Sequence, residues 1–191
     1  MKDTNANLLI HPVVGMTKSG DINHYTRVRC YNHALKRYPK GKAMLSLLPL
    51  AMRMGGPREA ILHALIRKNY GCTHLIVGRD HAGPGLDSNY NPFYGQYDAQ
   101  KLLKKYKNEI GIEIITFKFM VYLPDKKIYK PLSEIDPGSN YNTLSETKLR
   151  TLLDNDNNIP EWFSYKEIIK ELRRSNPPKH KKGFTVFFTG L

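Results

Sequence analysis

The residues best suited to bind or react with a ligand lie in the segment LIVGRDHAGPG, residues 75–85. An apolar run leads into Gly78, and a cation, an anion and an imidazole follow as Arg79, Asp80 and His81. A glycine lets the backbone approach a ligand closely, a guanidinium offers a fixed fork of donors to phosphate, and an imidazole can donate to phosphate or stack near a base. The segment is a candidate nucleotide site. The alternative is an ordinary turn in which Asp80 caps the turn or pairs with Arg79.

A second candidate segment is HPVVGMTKSGD, residues 11–21. His11 precedes a proline, which disfavours helical backbone and suits a side chain displayed at a strand tip. Lys18 and Asp21 lie in a glycine-containing loop that is long enough to close over a ligand. A solvated loop explains the same pattern equally well.

A third candidate is MRMGGPREA, residues 52–60, in which two glycines precede a predicted helix. The amino terminus of a helix carries free N–H groups and a positive dipole, so it can cradle an anion. Arg53 and Arg58 add positive charge. In the alternative interpretation, Arg58 pairs with Glu59 or faces solvent.

Other residues of reactive types are better assigned to the core. His63 and Arg67 lie four apart on one predicted helix face, yet a lone histidine on a mostly apolar helix is more often a satisfied core residue. Cys30 and Cys72 are far apart and have no CxxC partner, which disfavours a zinc site or a disulfide scaffold. We interpret both cysteines as small core residues of a protein from a reducing compartment.

The charge balance points to an anionic partner. The 191 residues carry a formal net charge of +13, and the pI is about 9.7. The basic residues are spread along the chain, with a run only at KHKK (179–182), and no aromatic-interleaved basic motif is present. We therefore expect polyphosphates or small oxyanions as partners and no nucleic acid. No stretch has transmembrane length and no leader precedes the first strand, so we expect a soluble, cytoplasmic protein without membrane association.

Strands and helices are predicted to alternate through the first two thirds of the chain. Strands are expected within 7–15 and 43–54, each followed by a loop in the same segment, and at 73–78 and 112–123. The expected helices lie within 17–41, 56–71 and 97–111. This alternation predicts an α/β fold with a parallel sheet and right-handed crossovers. Ligands bind at the carboxyl ends of the strands in such sheets. His11, Arg53 and the 78–81 turn all follow predicted strands.

The sequence changes in character after Pro124. Residues 124–143 are predicted to be loop-rich, and helices are expected at 144–156, with Ser145 as the cap, and at 160–175. A stiff basic linker at 176–182 and an apolar strand at 183–191 complete the chain.

Several of these segments together resemble the ATP sulfurylase (sulfate adenylyltransferase) family. The resemblance covers essentially 7–178 and rests on IHPVVGMTKSGDINHYTRVR, LSLLPLAMRMGGPREAILHALIRKNYG, HLIVGRDHAGPG, FYGQYDAQ and IPEWFSY. It implies a doubly wound nucleotidyltransferase fold, and the transfer of the adenylyl group of ATP to sulfate with release of pyrophosphate. Mg²⁺ would accompany ATP, and no metal bound by the protein itself is expected.

The resemblance also implies roles for single residues. Gly78, Arg79, Asp80, His81 and Met120 would bind ATP. Ala82 would bind sulfate through its backbone N–H.

The segment 144–150, LSETKLR, is similar to a phosphate-binding helix start of the wider superfamily. Glu146 stands where the family usually has Gly and Lys148 where it has Glu. The candidate substrate-pocket residues are then His11, Lys18, Asp21, Arg53, Ser145 and Thr147.

Two departures limit what this chain is expected to do alone. The 191 residues contain no Gln-x-Arg-Asn and no His-x-x-His. In the family these groups grip sulfate and stabilise the leaving pyrophosphate, so no catalytic residue is assigned here.

The segment KKGFTVFFTGL resembles the first strand of an adenylyl-sulfate kinase domain, yet no GxxxxGK[ST] is present. We therefore predict an internal piece of a sulfurylase–kinase fusion. Its parts would be a partial catalytic domain (1–125), a small, largely helical domain (126–175), and a linker with a truncated kinase strand (176–191).

Two other functions stay open at the level of sequence. The chain could be a non-catalytic nucleotide-binding or assembly module, or another nucleotidyltransferase that uses the same crevice. The resemblance further implies a homo-oligomer for the full-length protein.

Overall fold

The computed structural model describes residues 4–15 and 22–190. The elements of the described residues are, in chain order, β1 (Leu8–Ile10), α1 (His24–Leu35), β2 (Ala43–Leu45), α2 (Pro57–Asn69), β3 (His74–Val77), α3 (Asp98–Ile110), β4 (Glu113–Thr116), β5 (Met120–Leu123), β6 (Ile128–Pro131), α4 (Glu146–Asp154) and α5 (Lys166–Ser175). Short 3-10 helices lie at Leu132–Glu134 and Lys179–Lys181. The chain is a mixed α/β protein with parallel strand pairs, as the alternation of predicted elements indicated.

The contacts of the chain divide it into two compact units. Unit one comprises Met1–Leu48 and Thr143–Leu191, and unit two comprises Pro49–Asn142. The predicted domain boundaries after 125 and 175 stay predictions.

Unit one combines a parallel strand pair with a small helical core. β1 pairs with β2 in parallel, with Leu8 opposite Ala43. Helix α1 begins after Asn23, whose side chain accepts a hydrogen bond from Thr26 N at 2.9 Å, as expected of an N-cap residue. The helices pack around Leu153, Ile159 and Leu172. Arg29 Nε also donates to Glu171 Oε2 at 2.6 Å, which ties α1 to α5.

Unit two is built on the parallel pair β3–β4, in which His74 lies opposite Glu113 and Val77 opposite Thr116. Helices α2 and α3 pack against each other and contribute to a core with this pair. Ala60 and Ala64 on α2 are fully buried, and their small side chains allow close approach of the helix backbone. Burial of this apolar cluster, which includes Val77 and Leu103, is the main stabilising contribution in unit two.

A buried amide fixes the carboxyl ends of these two strands. Gln100 on α3 is buried, and its Nε2 donates to the carbonyl oxygens of Val77 at 3.1 Å, Gly78 at 3.1 Å and Phe117 at 2.9 Å. Backbone carbonyls that leave a ladder need other donors when they are shielded from water. One side chain therefore links the ends of β3 and β4.

The prediction of one strand over 112–123 was wrong. The segment divides into β4 and β5 because β4 ends where its partner β3 ends, and the chain then takes up β6 as an antiparallel partner. Residues 124–143 were predicted to be loop-rich, but they contain β6. A tight connection at 124–127, with Lys127 at φ +51°, closes this hairpin.

Other predicted bounds also differ from the structure. In the segment 43–54, predicted as a strand that runs into a loop, the strand is Ala43–Leu45, followed by an isolated bridge between Leu48 and Val13. α5 begins at Lys166 and not at 160. No strand forms over 183–190, and this segment is exposed because nothing in the described part of the chain pairs with it. The parallel strands of the described ranges pair two by two, and no ladder joins the pairs into one sheet.

We predict that Gln100→Glu destabilises the protein by about 3 kcal/mol. The substitution replaces the buried donor with an acceptor that faces three carbonyl oxygens. Urea denaturation followed by circular dichroism measures the change. Gln96→Glu is the matched control, because residue 96 is exposed, and it should alter the free energy of unfolding by less than about 0.5 kcal/mol. An equal midpoint for the two variants would contradict the proposed importance of the buried amide.

Candidate functional site

The candidate site is a tight turn directly after β3. Asp80 and Ala82 both adopt left-handed backbone, with φ of +52° and +56°, on either side of His81. Such conformations are uncommon for residues with a Cβ and concentrate at functional sites. A Cβ added at Gly83 would collide with the Asp80 carboxylate, so a larger residue there would require that side chain to move.

Backbone hydrogen bonds hold this turn in place. Asp80 N donates to Gln96 O at 2.7 Å, and Gly83 N donates to Asp80 O at 3.2 Å. Gly56 N, at the start of α2, donates to Ala82 O at 2.8 Å. These bonds offset the unfavourable backbone conformation, and they join the turn to the loop that precedes α2.

The Arg79 side chain is held without an anionic partner. Its guanidinium lies 4.3 Å from the centroid of the Phe119 ring, a cation–π contact. Within residues 4–15 and 22–190, Arg79 forms no ion pair, so the alternative of a surface pair with Asp80 is wrong. Stacking orients the guanidinium and leaves its donors for another anion.

The backbone of the turn is accessible from one side. A Cβ added at Gly78 would meet no atom within 4 Å. In the described part of the chain, the Ala82 N–H donates to no backbone carbonyl. The turn thus combines an oriented guanidinium, an available N–H and open space, which is an arrangement suited to an anion.

A column of buried polar side chains lies behind the turn. Glu59 is 5% exposed, and its Oε1 and Oε2 accept from Arg53 N and Gly55 N, each at 2.8 Å. His63 is 3% exposed, and its Nε2 lies 3.6 Å from Glu59 Oε1. On the other side of the same ring, Nδ1 lies 3.0 Å from His81 Nε2, with the two imidazoles nearly perpendicular at 82°.

Burial keeps both imidazoles neutral near pH 7. The pKa of His63 is lowered from 6.5 to about 4, chiefly because burial disfavours the imidazolium; Arg67 and His81 act in the same direction, and Glu59 opposes them. The pKa of His81 is also lowered, first by burial and then by Arg67, with Glu59 again opposing.

The loop before α2 is not the free anion cradle that the sequence suggested. The N–H groups of Arg53 and Gly55 bind Glu59, and that of Gly56 binds Ala82 O. Gly56 itself has φ +58°, and a Cβ there would come within 2.5 Å of the Tyr94 ring. The loop instead supports the turn through the bond between Gly56 N and Ala82 O, and its residue Arg53 is exposed.

Comparisons with known proteins give the family of the chain. Residues 1–175 match the family model described as ATP-sulfurylase. The chain belongs to the ATP-sulfurylase family.

Curated relatives of the family are similar over nearly the whole chain. It is 60% identical over 189 residues to a sulfate adenylyltransferase of Yarrowia lipolytica, covering 99% of this chain and 33% of the relative. It is 62% identical over 185 residues to a sulfate adenylyltransferase of Coccidioides immitis, covering 97% of this chain and 32% of the relative. The chain therefore spans about a third of the length of these relatives.

A solved structure is also similar to the chain. The chain is similar to a protein described as a hexameric APS kinase from Thiobacillus denitrificans, with a TM-score of 0.77 and 31% identity. The match covers 100% of this chain and 34% of that structure.

The other residues expected from the ATP-sulfurylase resemblance lie in different parts of the chain. Met120 begins β5 in unit two and is 38% exposed. His11 directly follows β1 in unit one, and its ring nitrogens are shielded from solvent. Ser145 Oγ accepts from Lys148 N at 3.2 Å and so caps α4, as predicted, while Thr147 is exposed. Lys18 and Asp21 lie outside the described residues.

Sequence reasoning missed the groups behind the turn. His63 was interpreted as a satisfied core residue, but its Nε2 makes no hydrogen bond within the described ranges and its Nδ1 contacts His81. Glu59 and Gln100 were not singled out as buried polar residues. The spacing of Glu59 and His63, four apart on a face that also carries Ala60 and Ala64, was the available signal.

The described residues contain neither a cluster that could hold a metal ion nor a helix that could span a membrane. Within residues 4–15 and 22–190, no group of three or more His, Cys, Asp and Glu side chains could hold a metal ion. None of the helices in these ranges is both long and apolar enough to cross a bilayer.

We predict that the stability of the chain falls as the pH is lowered from about 6.5 towards 4. His63 is neutral in the folded state down to a pKa of about 4, whereas an unfolded histidine binds a proton below 6.5. Unfolding therefore takes up a proton in this window and becomes easier in acid, by up to about 3 kcal/mol from His63. Urea titrations between pH 4 and 8 measure the effect, and the lowered pKa of His81 adds to it in the same direction.

The comparison variant for this pH effect is His63→Asn, which removes the titrating ring. The difference in unfolding free energy between wild type and variant should depend on pH only between about 4 and 6.5. His180→Asn, which removes an exposed imidazole, should leave the acid loss of stability in place. A difference between wild type and His63→Asn that is constant across this range would show the prediction to be wrong.

Proposed function

We propose that this chain forms part of the nucleotide and sulfate site of a sulfate adenylyltransferase. The reaction would convert ATP and sulfate to adenylyl sulfate and pyrophosphate. The observation that carries the proposal is the strained turn 79–82 after a parallel strand, with the oriented Arg79 guanidinium and the available Ala82 N–H. Relatives about 60% identical over almost the whole chain bear this enzyme name, which favours it over another nucleotidyltransferase.

For this reaction the protein must position the substrates and neutralise their charge, and it needs no nucleophile of its own. A sulfate oxygen attacks the α-phosphorus of ATP, a new P–O bond forms, and the bond to the bridging oxygen breaks as pyrophosphate leaves. Arg79 would neutralise negative charge on ATP, Gly78 would let the backbone approach the nucleotide, and the Ala82 N–H would hold sulfate. Asp80 would bind ATP as well, and Met120 would contact the nucleotide. Mg²⁺ would arrive on the triphosphate as part of the substrate.

The substrate pocket would also involve residues outside this turn. We propose that it includes His11, Arg53, Ser145 and Thr147, together with Lys18 and Asp21. The hydroxyl of Ser145 accepts from Lys148 N and is therefore engaged in capping α4. The other N–H groups at this helix start are the part of the segment that suits phosphate.

Further proposals concern the whole protein. The sheet would be of the doubly wound type, the part at 126–175 a small helical domain, and 176–191 a linker into an adenylyl-sulfate kinase domain. The similar structure is described as a hexameric APS kinase, which supports both the fusion and an oligomer for this protein. We place its action in the cytoplasm, in sulfate assimilation.

We predict that Arg79→Ala weakens ATP binding roughly 10- to 100-fold, because a charge-assisted hydrogen bond to phosphate is lost. Isothermal titration of the 191-residue chain with Mg²⁺–ATP measures this change. Lys104→Ala is the charge-matched control, since Lys104 is exposed on α3, and it should change the affinity less than about threefold. Equal loss in the two variants would indicate only a general electrostatic effect and would reject Arg79 as a ligand-binding residue.

We further predict that the 191-residue chain alone catalyses little or no exchange of label between pyrophosphate and ATP in the presence of sulfate. It contains neither Gln-x-Arg-Asn nor His-x-x-His, and loss of even one preorganised donor typically costs on the order of 10²–10³ in rate. Rapid sulfate-dependent exchange by the chain alone would refute this expectation. Phosphate in place of sulfate is the control for the class of acceptor.

A further inference from the structure

The contacts among Glu59, His63 and His81 lead to an inference about which nitrogen of the His81 ring carries the proton. Glu59 is held by two backbone N–H groups, so its carboxylate cannot turn away from His63 without losing both bonds. His63 is 3% exposed and sits between this carboxylate and His81. Each ring nitrogen of His63 therefore faces a fixed neighbour.

The two neutral tautomers of His63 differ in how they meet these neighbours. With the proton on Nε2, an N–H faces the Glu59 carboxylate at 3.6 Å, and the Nδ1 lone pair accepts from His81 Nε2–H at 3.0 Å. With the proton on Nδ1, a lone pair would face the buried carboxylate, which is electrostatically unfavourable. The first tautomer is favoured, and it commits the proton of His81 to Nε2.

We propose that His63 is a positioning residue that fixes the tautomer of His81, so that His81 presents the Nδ1 lone pair to the ligand. This proposal rests on the proposed function and deepens it. An acceptor of this kind recognises a hydrogen-bond donor of the nucleoside, such as a ribose hydroxyl or the adenine amino group. A lone pair cannot donate a hydrogen bond to phosphate oxygens. We therefore assign the binding of phosphate to Arg79 and not to His81, for which the sequence had suggested that role.

The backbone around His81 is held in place by its neighbours. The left-handed residues Asp80 and Ala82 flank it, and Ala82 O is bound by Gly56 N at 2.8 Å. The charged and titratable groups that act on the histidine pair are Glu59 and Arg67. Burial, the largest influence on both rings, keeps them neutral at pH 7 and so preserves one donor and one acceptor on each.

Nitrogen-15 NMR of the imidazole rings tests the proposal without any assay of function. In the wild-type chain at pH 7, His81 should show a protonated Nε2 and an unprotonated Nδ1. In His63→Leu, which lacks the acceptor, His81 should show averaged signals of exchanging tautomers. In His63→Asn, whose amide oxygen can take the place of Nδ1, the wild-type pattern should remain. An averaged or Nδ1-protonated His81 in the wild type overturns the proposal, and this measurement needs no variant to fold.

Titrations with Mg²⁺–ATP and with inorganic triphosphate test the ligand side. His63→Leu should weaken ATP binding about tenfold, the effect of one hydrogen bond, and His63→Asn less than threefold. Binding of inorganic triphosphate should be unchanged by either substitution, because it has no nucleoside. A similar loss for triphosphate and ATP would overturn the assignment of His81 to the nucleoside. A wild-type chain that binds no ATP would contradict the proposed function, while the NMR result would still decide the role of His63.

Discussion

The constraint on which the site depends is the buried carboxylate of Glu59. An ionisable side chain in a protein interior is costly unless its hydrogen-bonding capacity is satisfied. Here the loop before α2 supplies the donors, because Arg53 N and Gly55 N both point at the carboxylate. That bend leaves residue 56 at φ +58° against the Tyr94 ring, a position only glycine can occupy, and directs Gly56 N to Ala82 O.

A second buried polar group, Gln100, satisfies backbone groups at the ends of the strands. Its amide binds carbonyls at the ends of both β3 and β4, where the ladder stops and backbone groups would otherwise lack donors. Both arrangements satisfy backbone groups of the site with a buried side chain. In the described part of the chain, the Arg79 guanidinium forms no ion pair and the Ala82 N–H donates to no backbone carbonyl, so both are available to an anion. In such a site the supporting residues matter as much as those that touch the substrate.

The local elements of unit two were predictable because their signals are local. A proline at the first turn and glycine at the stop indicated α2, and a glycine with left-handed backbone ends α3 at Gly111. The strand 73–78 and the turn after it were also confirmed. The predictions that were wrong, a single strand at 112–123 and a strand at 183–191, depend on which partner a segment meets. Pairing with a distant segment is not encoded in the composition of the segment itself.

The sequence by itself determined the class of protein, the order of most elements, and the turn at 78–82 as the place where chemistry is expected. These follow from residue types and short spacings, which act through local backbone preference and charge. Only the tertiary structure decided that Glu59 and His63 stand behind His81, and that Arg79 stacks on Phe119 in place of pairing with Asp80. Such contacts join residues from separate elements, so they form only when the chain is folded. A buried polar pair among them is also stronger than an exposed one, because water no longer competes for its hydrogen bonds.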